Sequence, residues 1–210
     1  TLVEGITDAV AITAGAGVTF ALRENGTVWA WGANGDGRLG DGGTEMTYPP
    51  VVIPGLTDVV QVDAGYMHSL AVTADGSAWT WGWNVTGGQI WEDAFDPTPV
   101  QLGLTGVTRV RAGNDHSLAL LEDGTVWSWG FNRSGALGNG TFDTSIEPTM
   151  VAGLADIVQI AAGEQASLAL AADGTVWVWG SNQFGQFGDG RAVFRSAPDV
   201  VIGLPNIGPF

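Results

Sequence analysis

The chain contains no cysteine and no lysine, and of its 210 residues only two are histidine. Without cysteine there is no disulfide framework, no zinc-thiolate site and no thiol nucleophile. Charged residues are scarce at 14%, and they are unbalanced: 7 arginines against 22 acidic side chains leave a net charge of −15. Nucleic acids and anionic membranes are bound through basic surfaces that displace counterions, so this balance argues against both. No apolar run approaches the roughly 20 residues that a membrane-crossing helix needs, so membrane insertion is not expected. What the chain has in plenty is apolar residues (45%), glycine (33) and tryptophan (10), a globular composition rich in turns and indoles. The absence of lysine, the acidity and a chain that begins at Thr1 point to an extracellular or cell-surface protein, with a cytoplasmic one as the alternative.

Self-comparison shows a fourfold repeat. The tetrapeptide Trp-x-Trp-Gly begins at Trp29, Trp79, Trp127 and Trp177. Turn glycines at Gly26, Gly76, Gly124 and Gly174, and the second residues of Ala-Gly pairs at Gly15, Gly65, Gly113 and Gly163, keep the same spacing. Within a copy the apolar pattern alternates. In the second copy it predicts strands over Asp58 to Asp63, His68 to Thr73 and Ser77 to Trp81, followed by a fourth strand after a Gly-rich loop. The pairs Asn25-Gly26, Asp75-Gly76, Asp123-Gly124 and Asp173-Gly174 suggest two-residue hairpin turns. The fourth strands, Pro50 to Ile53, Pro99 to Leu102, Pro148 to Ala152 and Pro198 to Ile202, each open on proline, which suits a strand start or a sheet edge. Four short antiparallel strands per repeat and no helical segment describe an all-β propeller blade.

Eight of the ten tryptophans belong to this pattern. Alternate strand residues share a face, so Trp29 and Trp31 point one way and Val28 and Ala30 the other, as in every copy. Large groups opposite small ones let neighbouring blades interdigitate. Each buried indole removes on the order of 150 to 250 Å² from water, at most ~4 to 6 kcal/mol.

The unit Ala-Gly-x-x-His-Ser-Leu-Ala, Asp-Gly-Thr-Val-Trp-x-Trp-Gly-x-Asn and Gly-x-Leu-Gly, fullest from Ala112 to Gly138, resembles the repeat of the regulator of chromosome condensation family. The resemblance covers practically the whole chain. It implies a β-propeller of four-stranded antiparallel blades, usually seven to a ring, and therefore a four-repeat partial ring here, or a ring completed by another chain. The repeats run at about 5–54, 55–102, 103–152 and 153–202 within a single propeller-type domain of residues 1–210, with 1–4 and 203–210 as terminal fragments. Thr1 to Ile6 aligns with the segment starting at Met150, and Asp199 to Leu204 repeats it, so five copies of this strand stand against four of the others. A spare strand edge is a template for another chain, and self-association through terminal strands is the expected consequence.

No catalytic set emerges. Asp115, His116 and Ser117 are consecutive on a strand, where neighbours point to opposite faces and cannot share one proton path. His68 occupies the position of His116, and Val18 and Ala166 hold it in the other copies, so this is a packing slot. The loop from Asn34 to Gly42 places Asp36 and Asp41 among glycines, a weak calcium-loop pattern for which turn formation is the simpler reading. No cofactor is implied. Sequons occur at Asn25, Asn84, Asn132 and Asn139.

Function is sought where the repeats differ. After Gly82 the second copy runs through Trp83, Ile90, Trp91 and Phe95, placing two tryptophans outside the repeat pattern. Bulky aromatics on loops of a rigid scaffold are typical binding anchors. The short turns after each Ala-Gly add Tyr66 and Met67, Asn114 and Asp115, and Glu164 and Gln165, while Phe131 and Phe184 follow the tryptophan motif. The reading is a non-catalytic protein-protein interaction or assembly module, not an enzyme. The resemblance supplies an alternative, a regulatory propeller acting on a globular target as a nucleotide-exchange factor or an enzyme inhibitor. Exposed tryptophan beside acidic groups leaves a carbohydrate-binding surface as a third possibility.

Overall fold

A computed structural model describes residues 3–83 and 95–201. They form sixteen strands and no helix. The first blade is β1 (Ala9–Ala14), β2 (Val18–Arg23), β3 (Val28–Gly32) and β4 (Thr47–Val52). The second is β5 (Val59–Ala64), β6 (His68–Thr73), β7 (Ala78–Gly82) and β8 (Asp96–Gln101). The third holds β9 (Val107–Ala112), β10 (His116–Leu121), β11 (Val126–Gly130) and β12 (Ser145–Met150), and the fourth β13 (Ile157–Ala162), β14 (Ala166–Ala171), β15 (Val176–Gly180) and β16 (Arg195–Val200). Each is a four-stranded antiparallel meander in chain order, the architecture of a propeller blade. The chain divides into two compact units, residues 1–112 and 113–210.

The expected strands are present, with boundaries shifted by a residue or a few. The hairpins differ from expectation. Among the described residues Asn25, Asp75, Asp123 and Asp173 do not have positive φ, whereas the glycines that follow them do, at 76 to 88°. The Gly26 N–H bonds the Arg23 carbonyl and the Arg23 N–H bonds the Thr27 carbonyl. This is a three-residue turn closed by a glycine bulge rather than a two-residue turn. The preceding side chain explains the choice, because Asn25 Oδ1 accepts from the Thr27 N–H at 3.1 Å and Asp123 Oδ1 from the Thr125 N–H at 2.9 Å.

The prolines lie inside the outermost strands rather than at their starts. β3 and β4 pair at Ala30–Val51 and again at Gly32–Thr47, with Pro49 and Pro50 in the irregular stretch between, and the other three blades repeat this. An outer strand pairs along one side only, so the missing N–H costs no ladder bond. Of the spare N-terminal strand, Thr1 and Leu2 lie outside the described residues, and residues 3–8 contain no strand, so β1 is the first element among the described residues.

In the first unit, Phe20, Leu22 and Val28 of one blade bury against Val62, Ala71 and Trp81 of the next, with Phe20 meeting the Trp81 ring edge-on at 5.9 Å. In the second unit Leu118, Leu120 and Val126 meet Ile160, Ala169 and Trp179 in the same way. The second tryptophan of the following blade thus packs against large groups such as Phe20 or Leu118 as well as small ones such as Val28 or Val126, rather than on small ones alone. Trp81, Trp129 and Trp179 are fully buried, and the first tryptophan of each pair is half-buried.

In the first, third and fourth blades one buried asparagine builds the loop after the third strand. Asn34 Oδ1 accepts from the Leu39 N–H at 2.9 Å, while its amide donates to Asp41 and to the Gly43 carbonyl. Asn132 and Asn182 make the equivalent bonds five, seven and nine residues ahead.

Candidate loop-surface site

In the first unit, two turns and one asparagine-built loop come together. Tyr66 and Met67 occupy the tight turn between β5 and β6, closed by the Gly65 N–H on the His68 carbonyl. The loop between β3 and β4 delivers Asp36 and Arg38. Arg38 is 13% exposed on its side chain and forks onto both carboxylate oxygens of Asp36 at 2.6 and 2.7 Å. Its remaining Nη1 donates to the carbonyls of Ala16 and Tyr66, both at 2.6 Å. One guanidinium thus pins the turn of the first blade to the turn of the second.

Trp83 is anchored by its backbone N–H on the Met67 carbonyl at 2.8 Å. Trp83, Phe95 and Met67 line a cavity of about 320 Å³ together with Gly35, Asp36 and Arg38. Tyr66 stands 47% exposed in the turn beside Met67. Four of the sequence candidates therefore share one place. Ile90 and Trp91 lie outside the described residues.

The candidates of the second unit divide. The Asn114 N–H reaches the Glu164 carbonyl at 3.2 Å, and the Gln165 carbonyl accepts from Ser134 Oγ and from the Ser181 N–H. Asp115 is half-buried beside this pair. Burial, with the charge of Glu164 adding to it, pushes its carboxyl above the usual range. Phe131 is half-buried, and its N–H bonds the Asp115 carbonyl at 2.8 Å. Phe184 stands by itself at 85% exposure.

The carboxylates of the calcium-loop pattern are engaged by protein groups: Asp36 by Arg38, and Asp41 Oδ1 by the Asn34 amide and the Gly43 N–H. The sequon at Asn132 is closed, because that side chain is buried and bonded at both ends. His116 Nε2 lies 2.8 Å from Ser167 Oγ, which in turn donates to the Ala136 carbonyl. Adjacent Ser117 is buried as well, and it is the serine of the next blade that His116 meets. Burial pushes the His68 imidazole down to about 4, against a smaller opposing effect of Asp36.

Sequence reasoning missed Arg38 as an organiser and the asparagines as loop builders. The second signal was present: Asn34, Asn132 and Asn182 each precede Asp41, Asn139 or Asp189 by seven residues.

Among curated proteins no match is found. The structure superposes on human WBSCR16 with a TM-score of 0.83 and 26% identity, covering 97% of this chain and 55% of that one. It also superposes on yeast RCC1 (Prp20), solved bound to Kap60, with a TM-score of 0.84 and 24% identity over 96% of this chain and 50% of that one. A second structure of Prp20p from Saccharomyces cerevisiae, described with its binding properties to Gsp1p and histones, gives 0.84 and 24%, covering 96% and 52%. The chain thus spans about half the length of the propellers it matches. Its sequence matches the RCC1-like domain family over residues 2–208, and the chain belongs to that family.

Proposed function

We propose that the chain is a non-catalytic protein-interaction module that takes hold of a protein partner at the loop surface of its first two blades. The observation that carries this reading is the convergence of Met67, Trp83 and Phe95 with the Asp36–Arg38 pair around one cavity of about 320 Å³. A thioether and two aromatic side chains supply adaptable apolar contact, and a mostly buried arginine fork holds the floor in place. The net charge of −15 favours a partner segment that carries basic groups beside its apolar anchor. An extracellular or cell-surface setting belongs to the same proposal, resting on the acidic, lysine-free composition.

Affinity capture with the full chain tests it. Trp83→Ala combined with Met67→Ala should weaken the captured partner at least ~30-fold, the effect of losing a hot spot, while the exposed control Glu122→Gln leaves capture unchanged. Retention of every partner by the double variant, at unaltered melting temperature, overturns the site.

A second reading is favoured by the solved relatives. The Prp20p structure is described with binding to Gsp1p and histones, which supports a regulatory propeller acting on a globular target. Capture of a nucleotide-binding protein whose nucleotide release is accelerated by the chain would establish that reading, and capture without any such effect would leave the interaction module.

A further inference from the structure

We infer that Asn25 is a modification site, at which the folded chain loses its side-chain amide as ammonia through a cyclic imide and acquires an aspartate, and that the fold reserves this chemistry for one of its three Asn-Gly pairs. The site lies in the hairpin between β2 and β3, apart from the loop cavity.

The chemistry needs an asparagine followed by a residue with no side chain to crowd the attack. The Gly26 nitrogen gives up its proton to solvent and attacks Cγ of Asn25. The N–Cγ bond forms, the Cγ–Nδ2 bond breaks, and the amide leaves as ammonia. Water then opens the five-membered imide, at Cγ to give aspartate or at the main-chain carbonyl to give isoaspartate. One water enters and one ammonia leaves, and nothing is oxidised or reduced.

The pairs Asn25-Gly26, Asn34-Gly35 and Asn139-Gly140 are equal in sequence, so their surroundings decide between them. Asn34 is 1% exposed, and its leaving nitrogen is held by Asp41 at 3.0 Å and by the Gly43 carbonyl at 3.1 Å. Neither water nor departing ammonia has a path there. Asn139 is half-buried, and its Oδ1 holds the Asn132 amide at 3.2 Å. Its nucleophile is tied as well, because the Gly140 N–H donates to the Ser196 carbonyl of the following blade at 2.7 Å.

Asn25 is free of these restraints. It is exposed, as are Asp75, Asp123 and Asp173 at the same place in the other three copies, so the exposure belongs to the turn itself. The Gly26 N–H bonds only within the turn, to the Arg23 carbonyl at 3.0 Å, and Val59 holds the Gly26 carbonyl, beyond the reacting atoms. Opening therefore stays local. Thr27 donates to Asn25 Oδ1 from its N–H at 3.1 Å and from its hydroxyl at 2.7 Å. That oxygen takes up the negative charge of the tetrahedral intermediate, so two donors already face the developing charge.

The product suits the same turn. Asp123 Oδ1 accepts the Thr125 N–H at 2.9 Å and its hydroxyl at 2.6 Å, while Asp75 and Asp173 accept the N–H two residues ahead at 3.0 and 2.8 Å. Aspartate at position 34 would instead set a second carboxylate against Asp41. Isoaspartate at position 25 adds a main-chain methylene beside Gly26, whose left-handed φ of 76° and close packing on Asp58 leave no room for the shift.

Peptide mapping by mass spectrometry of the full chain, aged at mildly alkaline pH, reads the result, with isoaspartate identified by enzymatic methylation. In the folded chain Asn25 should convert at least about ten-fold faster than Asn34 and Asn139, whereas in urea all three should convert at similar rates. Asn25→Gln should abolish the first acidic band that isoelectric focusing detects on ageing. Asn25→Asp should melt at or above the wild-type temperature, and the isolated isoaspartate form below it. Folded chain in which Asn34 or Asn139 keeps pace with Asn25, or in which Asn25 survives while the unfolded chain is converted, overturns the site. A lowered melting temperature for Asn25→Asp overturns the fit of the product.

Discussion

Trp179 donates its indole N–H to the carbonyl of Ala136 at 2.7 Å, and the same carbonyl accepts the hydroxyl of Ser167 at 2.8 Å. Two donors from one blade converge on one acceptor of its neighbour, in a site where both side chains are fully buried. Replacing Trp179 by Phe leaves the carbonyl satisfied by Ser167, so the expected loss is modest, about 1 to 2 kcal/mol for the bond and the indole's extra bulk. Trp179→Ala removes the whole ring and should cost about 3 to 5 kcal/mol. Denaturant titration separates the two, and equal losses would refute this division of labour.

Gly113 has its place because of His116 and of the Gly163 carbonyl, which would stand 2.7 Å from a Cβ there. A Cβ on residue 113 would lie 2.3 Å from His116 Cε1 and 2.5 Å from Nδ1, far inside contact distance. Gly113→Ala is expected to destabilise by about 1 to 3 kcal/mol through overpacking. The first copy has Val18 at the position of His116, and a Cβ on its Gly15 would still meet the Gly65 carbonyl at 2.5 Å, so part of the clash belongs to the backbone of the next blade and part to the histidine. Adding His116→Ala should therefore recover part of the loss. A thermodynamic cycle over the two sites is expected to show a coupling of about 1 kcal/mol or more, and strict additivity would contradict the contact.

His68 is held neutral by burial, with its imidazole pushed down to about 4 from 6.5. Between those two values the unfolded chain takes up a proton that the folded chain refuses. Stability therefore falls as pH drops from about 6.5 toward 4, by on the order of 3 kcal/mol in all, and this contribution levels off below that. The carboxylates of Asp75, Asp123 and Asp173 are held low chiefly by hydrogen bonds from Thr73 to the first and Thr125 and Thr175 to the other two, and they add an acid-side loss of their own. His68→Val, the residue of the first copy, isolates the histidine. Its melting temperature should decline less than that of wild type between pH 6.5 and 4, and parallel declines would count against the assignment.

Asp58 and Asp156 have φ of 55° and 53°, the non-glycine residues with positive φ among those described. They stand just ahead of β5 and β13, and their carbonyls accept from Ala74 and Ala172. The third copy has Gly106 at this position, at φ 70°. Left-handed backbone is costly for a residue with a Cβ and free for glycine. Asp58→Gly should be neutral or stabilising by up to about 1 kcal/mol despite the entropy of glycine in the unfolded chain, whereas Asp58→Val should destabilise by more than that. Thermal melts of the two variants give the comparison.

Repeat number, strand order and the paired tryptophans were legible because each copy states them again at the same spacing, and strand alternation turns that spacing into faces. The hairpin turns were less so. Asn-Gly and Asp-Gly suit more than one turn, and the choice fell to the side-chain oxygen that bonds two residues ahead. Of the candidate site, the aromatic outliers Trp83 and Phe95 and the turn residue Met67 were visible as departures from the pattern. Arg38 was not, because an arginine in a Gly-rich loop gives no hint that three of its nitrogens will fork onto Asp36 and reach carbonyls 22 and 28 residues away.

By itself the sequence determined the blade: four strands, their order, their turn positions and the large-against-small faces, all consequences of local alternation and of residues at fixed offsets. Tertiary structure alone decided which faces are covered. Ile12 and Ile160 carry the same side chain at the same place in their repeats, and one is 78% exposed while the other is 1% exposed. Burial belongs to the neighbour as much as to the residue, since an apolar face leaves water only when another face arrives to displace it.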